Sequence, residues 1–304
     1  MRRWLSPILV GLGSALLLFG FLAWLWIGPA VRKAPIDTQS RTVAVGQGTY
    51  FNFEQGEEVE SDAIQSVTNT QSDQSVYEGD DAISRDIAVY DQTSGLFDEE
   101  TGYEISYGNN RIAIDRESAL PVDCCGNEPD AGLTVKWPFG VDEREYPLWD
   151  GTLGEAAPAT FEGEEEINGL AVYRFAVDIP ATDVGPATED SEFPRIEYEA
   201  TKVYLVEPVT GRIISSQQEV RQSLIGEDGE VLFDAADISV AVTEETIAEN
   251  VELAESDTSQ LQLLDTSTWL APLLGLLLIG AGVLLWSRSE TEPEVRRERV
   301  HAET

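Results

Sequence analysis

The stretch "LAVYRFAVDI", residues 170–179, alternates with a period of two. Leu170, Val172, Arg174, Ala176 and Asp178 fall on one side of an extended chain, and Ala171, Tyr173, Phe175, Val177 and Ile179 on the other. Successive side chains of a strand point to opposite faces. The second set holds the larger apolar residues, so it is expected to be the core face. The first set, with its Arg and Asp, is expected to meet water.

Comparable runs surround this stretch. "GTYFNF" (48–53), "AIQSVTNT" (63–70), "SRDIAVYD" (84–91), "GYEISYG" (102–108) and "RIAID" (111–115) precede it, and "EATKVYLVEP" (199–208), "GRIISSQQEVRQSLI" (211–225) and "VLFDAADISVAV" (231–242) follow. "EPVTGR" (207–212) and "GEDGE" (226–230) carry the residues of hairpin turns. Short strands joined this way predict a mainly β fold, an antiparallel β-sandwich or barrel-like domain over residues 34–242. Three acidic stretches, "GEEVESD" (56–62), "EGEEE" (162–166) and "DVGPATEDSEFPR" (183–195), are expected to be solvated loops.

From Thr243 the period changes. Ile247, Val251 and Ala254 recur at helical spacing, as do Leu261 and Leu264, and Thr243 is a suitable cap. Residues 243–268 therefore predict a helical stalk. It leads into "WLAPLLGLLLIGAGVLLW" (269–286), 18 uncharged residues. The other end of the chain holds "WLSPILVGLGSALLLFGFLAWLWI" (4–27), 24 residues without a charge. About 20 such residues cross a bilayer core as a helix. The first run is longer than the apolar region of a cleaved signal peptide and "GPAVRKAP" is a poor cleavage site, which favours an uncleaved signal anchor.

Orientation follows the Lys and Arg near the spans. Arg2 and Arg3 precede the first span, while Arg288, Arg296, Arg297 and Arg299 follow the second; Arg32 and Lys33 pull the other way. The expected topology is two-pass with both termini cytoplasmic: 1–33 hold the N-terminus and the first span, 34–268 are extracellular, 269–286 are the second span and 287–304 the tail. Of 56 acidic residues, five lie after residue 287 and none before residue 34; of 19 basic residues, four lie in each of those flanks. Residues 34–287 thus carry 51 acidic and 11 basic residues. Phosphate binding needs Lys and Arg, so nucleic acid is excluded as a partner. An acid-rich, lysine-poor surface suits high salt, where screening weakens self-repulsion; a halophilic source is the expectation.

The two cysteines, Cys124 and Cys125, are adjacent in "LPVDCCGNEPD" (120–130). Outside the membrane thiols tend to pair, and Gly126 and Asn127 favour a turn. The readings open here are a rigid turn closed by a vicinal disulfide, two reduced thiols in a tight turn, and bridges to a second chain. C-C lacks the spacing of a C-x-x-C redox motif. His301 in the tail is the sole histidine, so no serine or cysteine triad and no zinc set is expected outside. No phosphate-binding or dinucleotide motif occurs, and neither catalysis nor a cofactor is expected. "LTVKWPFGVDEREYPLWDGTL" (133–153) groups Trp137, Phe139, Tyr146 and Trp149. These aromatics are either core packing or an apolar surface for lipid.

At "VDCCGN" (122–127), "LTVKWPFG" (133–140), "YPLWD" (146–150), "GLAVYRF" (169–175) and "VYLVEPVTGRI" (203–213) the sequence resembles the porin PorA family. The resemblance runs along essentially the whole chain and implies an envelope protein with a span at each end. It brings no catalytic residues. The layout is also similar to that of class B scavenger receptors, which carry lipid through their ectodomain. The function expected from all this is a non-catalytic envelope protein that binds or hands on lipid or another hydrophobic ligand. The alternatives are a structural or assembly partner in the envelope and a porin-like channel component. The bilayer, a lipid and an envelope protein are the expected partners.

Overall fold

A computed structural model describes residues 2–127, 132–188 and 191–290; the tail arginines Arg296, Arg297 and Arg299 lie outside the described residues. The chain divides into two compact units, Met1–Arg32 with Asp257–Thr304, and Lys33–Ser256. The second unit is the β domain.

Its ten strands are β1 (Gln39–Asn52), β2 (Glu57–Ser72), β3 (Ile87–Asp98), β4 (Glu104–Asp115), β5 (Tyr146–Asp150), β6 (Glu155–Ile167), β7 (Leu170–Thr188), β8 (Ser191–Val206), β9 (Ile213–Ile225) and β10 (Val231–Val242). They form one antiparallel sheet in the order β4-β3-β2-β1-β10-β9-β8-β7-β6-β5. Two hairpin meanders, β1–β4 and β5–β10, are thus sewn together where β1 pairs with β10, Ala44 opposite Val242 and Tyr50 opposite Ala236. Most consecutive strands pair across short turns, which keeps the closure entropy low; β2 and β3 pair across the longer connection 73–86.

The sheet curls. One core joins Ala88, Tyr90, Ile112 and Ile114 of β3 and β4 to Tyr146, Leu148, Phe175, Val177, Ile179 and Tyr198 of β5–β8, although these strands lie at opposite ends of the strand order. The connection from β4 to β5 fills the space between them with Leu133, Trp137 and Val141. That connection is not a free loop. Trp137 N–H donates to the Gly211 carbonyl (2.9 Å), Gly140 N–H to Val209 (3.0 Å) and Val141 N–H to Pro208 (2.7 Å). It runs along the β8–β9 hairpin so closely that a Cβ on Gly211 would stand 2.2 Å from the Trp137 carbonyl oxygen, and Gly211 has φ +71°. Only glycine meets both demands.

The alternation in 170–179 holds for Phe175, Val177 and Ile179, which enter the core, but not for the other face. Val172 is fully buried there, against Ile214, Val242, Ile247, Val251 and Ala254, and Ala171 is exposed. The first turns of helix α3 (Glu244–Glu290) cover this part of the outer face. The strands also run longer than their apolar runs. The segments 56–62, 162–166 and 183–195, expected to be loops, lie largely in β2, β6, β7 and β8, except 189–190, which are outside the described residues. Acidic side chains on the water-facing side of a strand hide its signal. The two expected strands at 102–108 and 111–115 are a single strand, β4.

The other unit holds helices α1 (Arg2–Leu22) and α2 (Gly28–Val31), joined by a π-helical turn at Ala23–Ile27, and the later part of α3. The predicted stalk and second span are one uninterrupted helix of 47 residues. Thr243 caps it, its Oγ1 accepting from Thr246 N–H at 3.3 Å.

Candidate functional site

The span unit is built on missing side chains. A Cβ on Gly13 would lie 2.5 Å from the Gly275 carbonyl oxygen, and one on Gly275 2.6 Å from the Gly13 oxygen. Gly20 meets the ring of Pro272, Gly282 meets Val10 and the Ser6 carbonyl, and Ser6 Oγ donates to Gly282 O at 2.8 Å. Residue numbers rise on α1 as they fall on α3, so the helices pack as an antiparallel hairpin. Small residues let helix backbones approach closely where lipid gives no hydrophobic drive between helices. The large apolar side chains face away from the seam: Trp24 is 64% exposed, Trp26 72% and Leu277 69%. In water that surface would be untenable; in hydrocarbon it is at home. Past α2, Arg32 reaches Asp265 with a two-pronged contact of 2.6 and 2.8 Å.

In the β domain the vicinal cysteines form a turn bound to the sheet. Cys125 has φ +67° and Gly126 φ +82°. Asn127 braces the turn from within, its Oδ1 accepting from Cys124 N–H (3.0 Å) and its Nδ2 donating to Val122 O (3.0 Å). Arg111 on β4 holds it from without. Its Nε donates to the Cys125 carbonyl (2.6 Å), while the other guanidinium nitrogens reach Asp91 (2.7 Å) and Asp73 (2.6 Å). The Ser75 hydroxyl and then Arg111 keep the Asp73 carboxyl below its ordinary range. The expectation of a vicinal disulfide is corrected to a tight turn: the two Cα atoms stand 3.7 Å apart, closer than the roughly 4.4–6.8 Å of an ordinary bridge, and the hydrogen bonds of Asn127 and Arg111 are what hold the bend. Arg111 and Asp73 gave no sequence signal as its clamp, because they stand 14 and more residues away.

The aromatic group does not line one surface. Trp137 is fully buried and Tyr146 is 3% exposed; both pack against Phe175, with ring centroids 5.4 and 5.8 Å apart. Phe139 is half-buried beneath the Lys136 ammonium, 3.7 Å from its ring centre, and Trp149 is half-buried on β5. The expectation of a lipid-facing aromatic wall is therefore corrected: Trp137 and Tyr146 fill the space between the curled ends of the sheet, and lipid binding gains no support from them.

Beside them lies a feature the sequence did not single out. Asp150, 4% exposed, takes Lys202 Nζ at 2.6 Å and Tyr198 Oη at 3.0 Å on one oxygen, and the amides of Thr152 and Leu153 at 3.0 and 2.9 Å on the other. Burial raises its pKa, but the Lys202 charge and these hydrogen bonds outweigh burial and hold it below the ordinary value. Burial pushes the Tyr198 and Tyr204 hydroxyls strongly up. Every partner of Asp150 is occupied and the group is enclosed, so it locks β5 to β8 rather than offering a base to a substrate. No group of three or more metal-binding side chains occurs among the described residues.

The model of a family described as Porin PorA matches residues 5–284. A relative named Porin PorA, from Corynebacterium amycolatum, is 26% identical over 224 residues, which cover 59% of this chain and 58% of the relative. This chain thus spans a little over half the length of that relative. Two helices long and apolar enough to cross a membrane and a family match over nearly the whole chain lead to one conclusion: this membrane protein belongs to the porin PorA family.

Proposed function

We propose that this chain is a two-pass cell-envelope protein that works without catalysis, as a structural or assembly component whose paired spans hold an acidic β domain outside the membrane. The observation that carries this reading is the antiparallel seam at Ser6–Gly282, Gly13–Gly275 and Gly20–Pro272. That seam sends both termini to one side, and Arg2, Arg3 and Arg288 on that side favour the cytoplasm. Residues 34–268 are then extracellular. The absence of catalysis is supported by the titratable groups of the domain: Asp150, Lys202 and Tyr198 satisfy one another inside the protein.

The second reading is a porin-like channel component, favoured by the name of the Corynebacterium amycolatum relative. A single copy is poorly built for it. The ten-stranded sheet ends at β4 and β5 without closing, its interior is filled by Trp137, Phe175 and Tyr198, and the helix seam is sealed by backbone contact. A solute path would need several copies. Planar-bilayer recording of the purified full-length protein, with its mass in nanodiscs taken in parallel, separates the readings. Silent membranes and a single defined assembly are expected; stepwise conductance from an oligomer would overturn the first reading and establish the second.

A further inference from the structure

The end of the sheet where β1 turns into β2 and β9 into β10 carries an apolar surface that the fold does not use. Phe51, Phe53 and Phe233 form a ring cluster with centroids 4.3, 5.1 and 6.3 Å apart. Phe53 is 64% exposed, Val231 57% and Leu232 56%. This is not the rim of the core. Tyr50, one residue before Phe51, points to the opposite face and is fully buried with Ile64 and Ile238. The charged residues in and next to the two bordering turns are acidic: Glu54 in one turn with Glu57 and Glu58 at the start of β2, and Glu227, Asp228 and Glu230 in the other, all exposed. The arginines on neighbouring strands, Arg195 and Arg221, are paired with Asp183 and Asp237. Ala44, opposite the Val242 end of β10, lies roughly 23 Å from Phe51 at about 3.3 Å per residue. The patch therefore sits at the end of the strands away from where the chain enters α3.

We infer that this tip docks a basic polypeptide, a segment of a protein partner with aromatic or aliphatic side chains flanked by Lys or Arg. The charge chooses the occupant. A second copy would set six acids against six more, and an anionic lipid surface would be repelled in the same way. A cationic segment is drawn in by the rim and gains its hold from the exposed rings, the division of labour usual at interfaces. The inference depends on neither functional reading above.

The test uses full-length protein in phosphatidylcholine nanodiscs and two fluorescent peptides of equal charge, one alternating Lys with Phe and one alternating Lys with Ser, read by anisotropy against empty discs. The Lys/Phe peptide is expected to bind at least about tenfold more tightly. Phe53→Ser with Val231→Ser, at exposed positions that the core does not need, should bring it down to the Lys/Ser level. Glu227→Lys with Asp228→Lys should weaken both peptides. Equal binding of the two peptides, or a preference untouched by the serine variant, would overturn the proposal. So would light scattering that shows self-association abolished by that variant, which would assign the patch to a second copy. Binding of anionic vesicles lost in that variant would assign it to lipid.

Discussion

The span hairpin and the β domain bury opposite things. In the hairpin the close contacts are made by Gly13, Gly275 and Gly282, and Trp24, Trp26 and Leu277 stand outward. In the β domain Trp137, Tyr50, Tyr198 and Phe175 stand inward, and most acids stand out, Asp98, Asp150 and Glu207 excepted. Both kinds of surface occur on one helix. Over its first turns α3 buries Ile247, Val251 and Ala254 and exposes Glu245, Glu249 and Glu252; from Trp269 to Trp286 it carries no charge on any side. The lesson is that the surrounding solvent, not the residue type, decides what a packed interior is made of. Water drives apolar area inward, whereas hydrocarbon is indifferent to it and leaves shape to decide.

The contrast can be broken most severely at Asp150. Lys202→Met strands a buried carboxylate and should cost about 3–5 kcal/mol of β-domain stability, measured as a shift in the denaturant midpoint of the full-length protein in nanodiscs. The hairpin should survive it. A midpoint unchanged in Lys202→Met would mean that Asp150 is not locked by Lys202. pH sharpens the same point. Asp150 is held below its ordinary value in the folded protein, so its contribution is present above about pH 3.8 and is lost as pH falls through the lower folded value. Lys202→Met removes the charge that lowers that value most, leaving burial opposed by the Leu153 and Tyr198 hydrogen bonds, so the value rises and the deficit should be full at pH 7 and shrink on acidification.

The reverse experiment targets the hairpin. Gly13→Leu has no room beside the Gly275 backbone and should weaken the pairing by about 1–3 kcal/mol. Cross-linking between Arg32→Cys and Asp265→Cys, a pair that meets outside the glycine seam, should fall in that variant, while the β-domain midpoint stays put. Undiminished cross-linking would show that the seam is not what pairs the spans. A smaller effect separates the units by solvent. Because residues 34–287 hold 51 acidic against 11 basic residues, raising potassium chloride from 0.1 to 2 M, an increase of about twentyfold that shortens the screening length to a few ångströms, should raise the β-domain midpoint and leave the Arg32→Cys/Asp265→Cys cross-linking unchanged. A flat salt response would argue against a surface adapted to high salt. The smallest effect is expected at the vicinal pair. Substituting both Cys124 and Cys125 with Ser should cost under about 1 kcal/mol, since Asn127 and Arg111 still hold the turn. A larger shift of the β-domain midpoint in that variant would show that the cysteines themselves, not Asn127 and Arg111, hold the turn.

Much of this was readable before any coordinates. The alternation at 170–179, the turns at 207–212 and 226–230, the change of period at Thr243 and the two uncharged runs each depend on residues close in sequence. They gave a mainly β domain between two apolar helices. The strand ends at Glu57–Asp62 and Glu162–Glu166 are not legible in the sequence, because a water-facing acid on a strand reads like one in a loop. The candidate aromatics were placed on the right segment with the wrong partner: local spacing cannot say whether Trp137 meets a ligand or Phe175.

By itself the sequence determined the elements and their solvents, because amphipathic period, turn chemistry and span length act over a few residues. The tertiary structure alone decided the rest: that the sheet joins first strand to last and curls its ends around Trp137, that Arg111 clamps the cysteine turn, that Lys202 neutralises Asp150 fifty-two residues away, and that Gly13 meets Gly275. Those pairings depend on distances across the folded chain, and a one-dimensional pattern holds no record of them until packing brings the partners together.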